Sequence, residues 1–195
     1  MDLFDYMREN ALRQEAPLAV RMRPQSLEEI AGQAHILGKD KLLYRAVKAD
    51  AVGSMILYGP PGCGKTTIAE VISRETQSDF CRLNATTAGK KEMEEVIQRA
   101  KENFGRGRRT TLFVDEIHRF HKGQQDFLLP YVEDGTIALI GATTENPFFE
   151  VNAALLSRSR IFELKPLAAA DIAALLRRAM ADKERGYGNW SAELT

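Results

Sequence analysis

The chain has 195 residues, 44% hydrophobic and 28% charged, which suits one α/β domain or one domain and part of a second. Its 27 basic and 27 acidic residues cancel, which excludes an overall positive field for nucleic acid, so any such contact must come from local patches. The apolar runs are too short to span a bilayer, Met1-Asp2-Leu3-Phe4-Asp5 is acidic, and Cys63 and Cys81 make no disulfide framework, so a cytoplasmic protein without a membrane partner is expected.

The stretch to Arg23 reads as an N-terminal extension. Within it Asp2-Leu3-Phe4 faintly resembles part of a sliding-clamp-binding peptide, but incidental apolar residues at a terminus account for it better. Pro24 opens a short helical signal with Ser26 as N-cap and Glu29 at capping-box spacing. Lys39 to Asp50 places Leu42, Leu43, Ala46 and Val47 on one helical face. Strand-length apolar runs then alternate with helical patterns. The strands are Met55–Tyr58, a weaker Phe80–Leu83, Thr110–Val114, Ile137–Ile140 and Ile161–Leu164. Between them lie helices over Thr66–Glu75, Lys91–Phe104, Gln124–Val132 and, briefly, Ala153–Leu156. Such alternation predicts an α/β fold, a parallel sheet covered on both faces. Beyond Pro166, Ala169–Lys183 reads as one more helix with Ile172, Leu175, Leu176 and Met180 inward. There is no internal repeat and no low-complexity tract.

Directly after the first strand stands Gly59-Pro60-Pro61-Gly62-Cys63-Gly64-Lys65-Thr66, a full G-x-x-x-x-G-K-[ST] match, followed by Thr67. The glycines let the backbone turn so that successive N–H groups face phosphate oxygens, and the helix that follows adds its positive end. Lys65 can reach the β- and γ-phosphates of ATP, and the Thr66 hydroxyl can ligate Mg²⁺. An ordinary glycine turn before a helix would not need all four fixed positions in this strand-loop-helix setting.

Leu112-Phe113-Val114-Asp115-Glu116 puts two carboxylates where an apolar strand ends, the edge at which ligands bind in such sheets. Asp115 would hold Mg²⁺ through water, and Glu116 would orient or deprotonate the attacking water. Alone the pair would read as a solvated acidic turn; downstream of a phosphate loop it reads as catalytic. A further strand ends in Gly141-Ala142-Thr143-Thr144-Glu145-Asn146-Pro147, where a polar side chain could touch both the γ-phosphate and that water. Thr144 is the first choice, with Thr143 and Asn146 as alternatives; a plain turn ended by Pro147 is the bland reading.

In this order the motifs resemble the AAA+ ATPases, and within them the RarA/MgsA family of replication-associated recombination ATPases, which includes the Werner-helicase-interacting protein. The resemblance rests on Pro17-Leu18-Ala19-Val20-Arg21-Met22-Arg23-Pro24, Gly32-Gln33, the phosphate loop, and Leu112 to Phe120. It continues through Gln124-Gln125-Asp126, Glu133-Asp134-Gly135-Thr136, Ile140 to Pro147, and Leu155-Leu156-Ser157-Arg158-Ser159-Arg160. It implies a five-stranded parallel sheet of order 5-1-4-3-2 and adenine held near Arg23-Pro24 and Gly32-Gln33. It also implies an arginine finger, Arg158, acting on a neighbour's ATP, with Arg160 as second candidate because Ser replaces the Cys of clamp loaders. The domains implied are an extension over 1–23, the nucleotide-binding α/β domain over 24–166, and the first part of a helical lid over 167–195. Family members act at stalled forks and recombination intermediates. Their partners are single-stranded or forked DNA, single-strand-binding protein and the clamp machinery, as homo-oligomers, placed at the nucleoid in bacteria.

Family chains run on into further lid helices and a C-terminal domain, so this chain reads as a truncated piece, expected to bind nucleotide weakly and to hydrolyse it slowly or not at all alone. Lys90-Lys91, the set Arg106, Arg108 and Arg109, and Arg119 with Lys122 are candidate phosphate contacts on DNA, though solvated surface charge explains each more simply. His118 and His121 lack a third ligand for a metal and read as marking the turn after the active strand. Three functions compete: an ATPase that remodels DNA or its bound proteins, a nucleotide-gated scaffold that recruits replication partners, and a clamp-loader or branch-migration subunit.

Overall fold

The computed structural model describes residues 16–190. The Asp2-Leu3-Phe4 motif lies outside the described residues. Five strands build one parallel sheet: β1 (Met55–Tyr58), β2 (Asp79–Asn84), β3 (Thr110–Asp115), β4 (Ala138–Thr143) and β5 (Arg160–Glu163). Their order is β2-β3-β4-β1-β5, which read from the other edge is the expected 5-1-4-3-2. Each strand lies within a few residues of its sequence-predicted position, because strands buried on both faces are near-continuous apolar runs.

The helices are α1 (Leu18–Arg21), α2 (Ala34–Leu37), α3 (Leu42–Lys48), α4 (Lys65–Glu75), α5 (Lys90–Gly105), α6 (Lys122–Glu133), α7 (Pro147–Glu150), α8 (Ala153–Ser157) and α9 (Ala169–Ala181). Two cores sandwich the sheet. On one face Ile56, Leu83, Leu112, Val114 and Leu139 pack with Met93 and Ile97 of α5 and Leu128 of α6. On the other, Met55, Leu57, Phe113 and Ile140 pack with Leu43 and Val47 of α3 and Ile68, Val71 and Ile72 of α4. Adjacent residues of β3 thus supply opposite cores, the period-2 alternation of a strand.

The register aligns the carboxyl ends of β1, β3 and β4. Tyr58 stands opposite Thr143, and Val114 opposite Gly141. Whatever follows β1 and β3 therefore emerges beside the end of β4. Cys63 and Cys81 are both buried, free thiols. No helix among the described residues is long and apolar enough to cross a membrane.

Three helical expectations need correction. Leu42 is 57% exposed; it is the first residue of α3, whose packed arc carries only Leu43 and Val47. Before the short 3-10 turn Leu27–Glu29, Ser26 makes no side-chain cap, and the Glu29 carboxylate accepts from the N–H of Gln25, one residue off the predicted box. In α9 both Ile172 and Leu176 are exposed. That helix is gripped by polar contacts instead: Arg178 donates to the carbonyls of Glu29 (2.7 Å) and Met22 (3.1 Å), and Ala179 is its buried residue.

Candidate functional site

The turn out of β1 is rooted by Gly59, whose N–H donates to the Thr143 carbonyl at 3.1 Å. A Cβ at Gly59 would lie 2.4 Å from the carbonyl oxygen of Leu164, so only glycine fits between β4 and the exit of β5. Gly62 (φ 76°) and Gly64 (φ 98°) are left-handed, and a Cβ on either would meet nothing within 4 Å. Their need for glycine is one of backbone conformation, the condition for N–H groups to line one concave side. Pro60 and Pro61 complete the loop, and Cys63 is buried beneath it.

Helix α4 starts at Lys65, with Gly64 as a cap that offers no side-chain acceptor. The first N–H groups of the helix thus face the loop interior, the arrangement that receives anions. The Lys65 side chain is only 8% exposed; its ammonium donates to the carbonyls of Gly59 (2.7 Å) and Pro60 (2.9 Å). Thr66 and Thr67 follow in the first turn, half-buried. The glycine turn, the start of α4 and the Lys65 side chain are thus gathered at one place, the carboxyl end of β1.

At the end of β3, the carboxylate of Asp115 is 20% exposed and accepts from Arg82 Nη2 at 2.8 Å. Arg82 reaches it from β2, where the register puts Asn84 opposite Asp115. Glu116 then takes φ 53°, a left-handed conformation uncommon for a non-glycine residue. It turns the chain into the 3-10 turn Ile117–Arg119. Its carboxylate lies 3.3 Å from His118 Nδ1, and the same nitrogen is 2.9 Å from Thr143 Oγ1.

The three candidates beyond β4 have separate surroundings. Thr143 is fully buried and touches His118; its hydroxyl also accepts from the N–H of Glu145 at 3.0 Å. Thr144, the first choice from sequence, is half-buried just past the strand. Asn146 caps α7, accepting from the N–H of Phe148 at 3.0 Å with Pro147 at the first helical position.

Of the residues expected near adenine, Gln33 is buried against the phosphate loop. Its side-chain amide donates to the carbonyls of Cys63 (3.3 Å) and Lys165 (2.7 Å), and its carbonyl accepts from the Lys165 N–H (3.0 Å). Arg23 reaches Glu70 on α4 at 3.0 Å instead.

Arg158 follows α8 and is exposed, paired at 2.5 Å with Glu133 at the end of α6 and donating to the Ala154 carbonyl at 3.0 Å. Arg160 opens β5 opposite Met55, at the edge of the sheet away from the phosphate loop. His121 caps α6, its Nδ1 accepting from the N–H of Gln124 at 3.3 Å, in keeping with a turn marker. No cluster of three metal-ligating side chains occurs among the described residues. Among the basic patches, Lys90 and Lys91 pair along α5 with Glu94 and Glu95, and Arg109 pairs with Asp50.

Sequence reasoning missed the contacts of Arg82, His118 and Gln33. Each joins segments distant along the chain, and only His118, two residues past Glu116, carried a local signal.

Comparison with known proteins matches residues 55–167 to the ATPase family associated with various cellular activities (AAA). The chain is 58% identical over 172 residues to replication-associated recombination protein A of Escherichia coli K12, covering 88% of this chain and 38% of that protein. It is 44% identical over 165 residues to the ATPase WRNIP1 of Dictyostelium discoideum, covering 85% of this chain and 19% of that one. Among solved structures it superposes on the RuvB Holliday junction branch migration motor of Thermotoga maritima with a TM-score of 0.64 at 29% identity, covering 83% of this chain and 54% of that chain. The chain thus spans well under half the length of the curated relatives it matches.

Proposed function

The chain belongs to the AAA family of ATPases, and from that premise we propose that it binds Mg·ATP on the loop Gly59–Thr66 and hydrolyses it with Glu116 as base. The observation that carries the reading is the juxtaposition at one sheet edge of a glycine-built anion cradle, a buried lysine and a pair of carboxylates. The backbone from Gly59 to Gly64 and the first turn of α4 would bind the phosphates by N–H donation. In this reading the Lys65 ammonium exchanges the carbonyls of Gly59 and Pro60 for phosphate oxygens. Thr66 Oγ1 and the Asp115 carboxylate are hard oxygen donors of the kind that suit Mg²⁺, Asp115 through water. When bound, that ion supplies charge neutralisation on the β- and γ-oxygens.

Glu116 is the group to accept the proton of the attacking water, and Thr144 is the polar contact to the terminal phosphate. Arg158 lies away from its own loop and would complete a neighbour's site in a homo-oligomer. Residues 24–166 make up the nucleotide-binding unit in this reading, and 167–195 the first part of a lid. The similarity to recombination and branch-migration proteins supports a role in DNA replication, recombination or repair, with single-stranded or forked DNA as partner. Alone, without a neighbour's arginine, the chain is expected to turn over slowly.

Two variants test this. Lys65→Ala should weaken Mg·ATP binding at least about tenfold by titration calorimetry, the loss of a charge-assisted contact. Glu116→Gln should keep binding and lower the assembled protein's hydrolysis by about 10²–10⁴. Full binding by Lys65→Ala, or undiminished turnover by Glu116→Gln, would overturn the assignment.

A further inference from the structure

A single imidazole nitrogen stands between the base and the neighbouring strand. His118 Nδ1 lies 3.3 Å from Glu116 Oε2 and 2.9 Å from Thr143 Oγ1, and the ring is 10% exposed. The neighbours of His118 already fill the core: Ile117 is fully buried and Phe120 is 2% exposed. The polar nitrogen of the histidine ring faces two oxygens rather than this apolar core.

The tautomer of the ring decides which of the two oxygens Nδ1 can hold. An ionised carboxylate only accepts, so a bond to Glu116 requires the proton on Nδ1. That one hydrogen is then shared between Thr143 Oγ1 at 2.9 Å and the longer contact to Glu116 at 3.3 Å. Thr143 also accepts from the Glu145 N–H at 3.0 Å, and its own hydrogen points to the Glu145 carbonyl at 3.4 Å. With the carboxylate turned away, the Thr143 hydroxyl can instead donate to a bare Nδ1. The ring thus has one tautomer that holds Glu116 against β4 and another that does not.

We propose that His118 is the positioning residue for Glu116, holding its carboxylate by Nδ1–H against the fixed end of β4 and releasing it through a change of tautomer. This rests on the reading of Glu116 as the base. Thr143 contributes by anchoring the ring, a role distinct from the γ-phosphate contact assigned to Thr144. Because Thr143 ends β4 and Thr144 follows it directly, the position of the base is coupled to the residue assigned to the terminal phosphate.

The first test is spectroscopic and needs no turnover. Long-range ¹H–¹⁵N correlation of the nucleotide-free chain should show His118 as the Nδ1–H tautomer. In Glu116→Ala it should shift toward Nε2–H. An Nε2–H ring in the parent chain, or no change in the variant, would overturn the proposal.

The second test is kinetic, on the full-length assembled protein. His118→Ala should lower kcat by about tenfold to a hundredfold, the effect of a misplaced reactive group, with the Kd for Mg·ATP changed less than about twofold. His118→Asn, which keeps an N–H near the place of Nδ1, should recover most of the rate, and His118→Gln should not. His118→Ala combined with Thr143→Val should cost little more than the worse single change, as for residues acting in one chain of contacts. Equal impairment of His118→Asn and His118→Ala, or an unchanged kcat, would overturn the proposal while leaving the ATPase assignment standing. Absence of Mg·ATP binding by the parent protein would overturn both.

Discussion

The guanidinium of Arg82 stands 2.8 Å from the carboxylate of Asp115, a cation resting on the side chain assigned to the metal. Arg82 is 48% exposed, so the pair is worth at most about 1 kcal/mol. Arg82→Ala should therefore tighten Mg-dependent nucleotide binding by no more than about fivefold. Titration calorimetry with and without Mg²⁺ checks this; weaker binding by the variant would mean that Arg82 assists the ligand directly.

Gly59 and Gly62 require glycine for different reasons, and alanine separates them. At Gly59 a Cβ would meet the Leu164 carbonyl at 2.4 Å, backbone that cannot step aside. Gly59→Ala should cost about 1–3 kcal/mol or more by overpacking. At Gly62 the space is open and only the positive φ is paid, so Gly62→Ala should cost about 1 kcal/mol. Urea unfolding of both variants gives the comparison, and equal losses would contradict it.

Arg158 is held within its own chain by Glu133 at 2.5 Å, both side chains 42% exposed. If Arg158 serves a neighbour, Glu133 competes for it. Arg158→Ala should lower turnover of the assembled protein by about 10³ or more at unchanged ATP affinity. Glu133→Ala should raise turnover, by up to about fivefold, since an exposed pair is a weak latch. A drop in turnover for Glu133→Ala would instead make Glu133 part of the finger's support.

Acid stability should depend on Asp79, the first residue of β2. Burial pushes its carboxyl up, but the Arg99 guanidinium (2.6 Å to each carboxylate oxygen) and the Asn103 amide (2.8 Å) outweigh that and hold it below the ordinary range. A depressed folded-state pKa stabilises above the unfolded value, about 3.9, and that contribution is lost as pH falls through the folded value. Asp79→Asn should cost about 1–3 kcal/mol at pH 7 and progressively less below about pH 4. Unfolding curves at the two pH values test it, and a pH-independent penalty would exclude the ion pair as its source.

The elements most legible in sequence were those whose signal is contiguous. β1 was placed to the residue because Met55 to Leu57 are all buried, and the turn from β1 into α4 because Gly59, Gly62 and Gly64 stand close together ahead of Lys65. Contacts across strands were not legible. The Arg82–Asp115 pair depends on the β2–β3 register, and the His118–Thr143 contact on β3 and β4 being neighbours with Glu116 left-handed. Helical periodicity named apolar arcs but not their partners. Leu42, Ile172 and Leu176 fit the pattern and still face outward, because α3 and α9 are anchored by other residues.

One buried side chain, Gln33, bonds at once to Cys63 in the phosphate loop and to both backbone groups of Lys165 after β5. Three stretches remote in sequence are thereby yoked through a single amide. The segment that follows β5 is tied to the loop at Cys63 by side-chain bonds that bypass the sheet, so Gln33 is the stitch that a substitution there would cut.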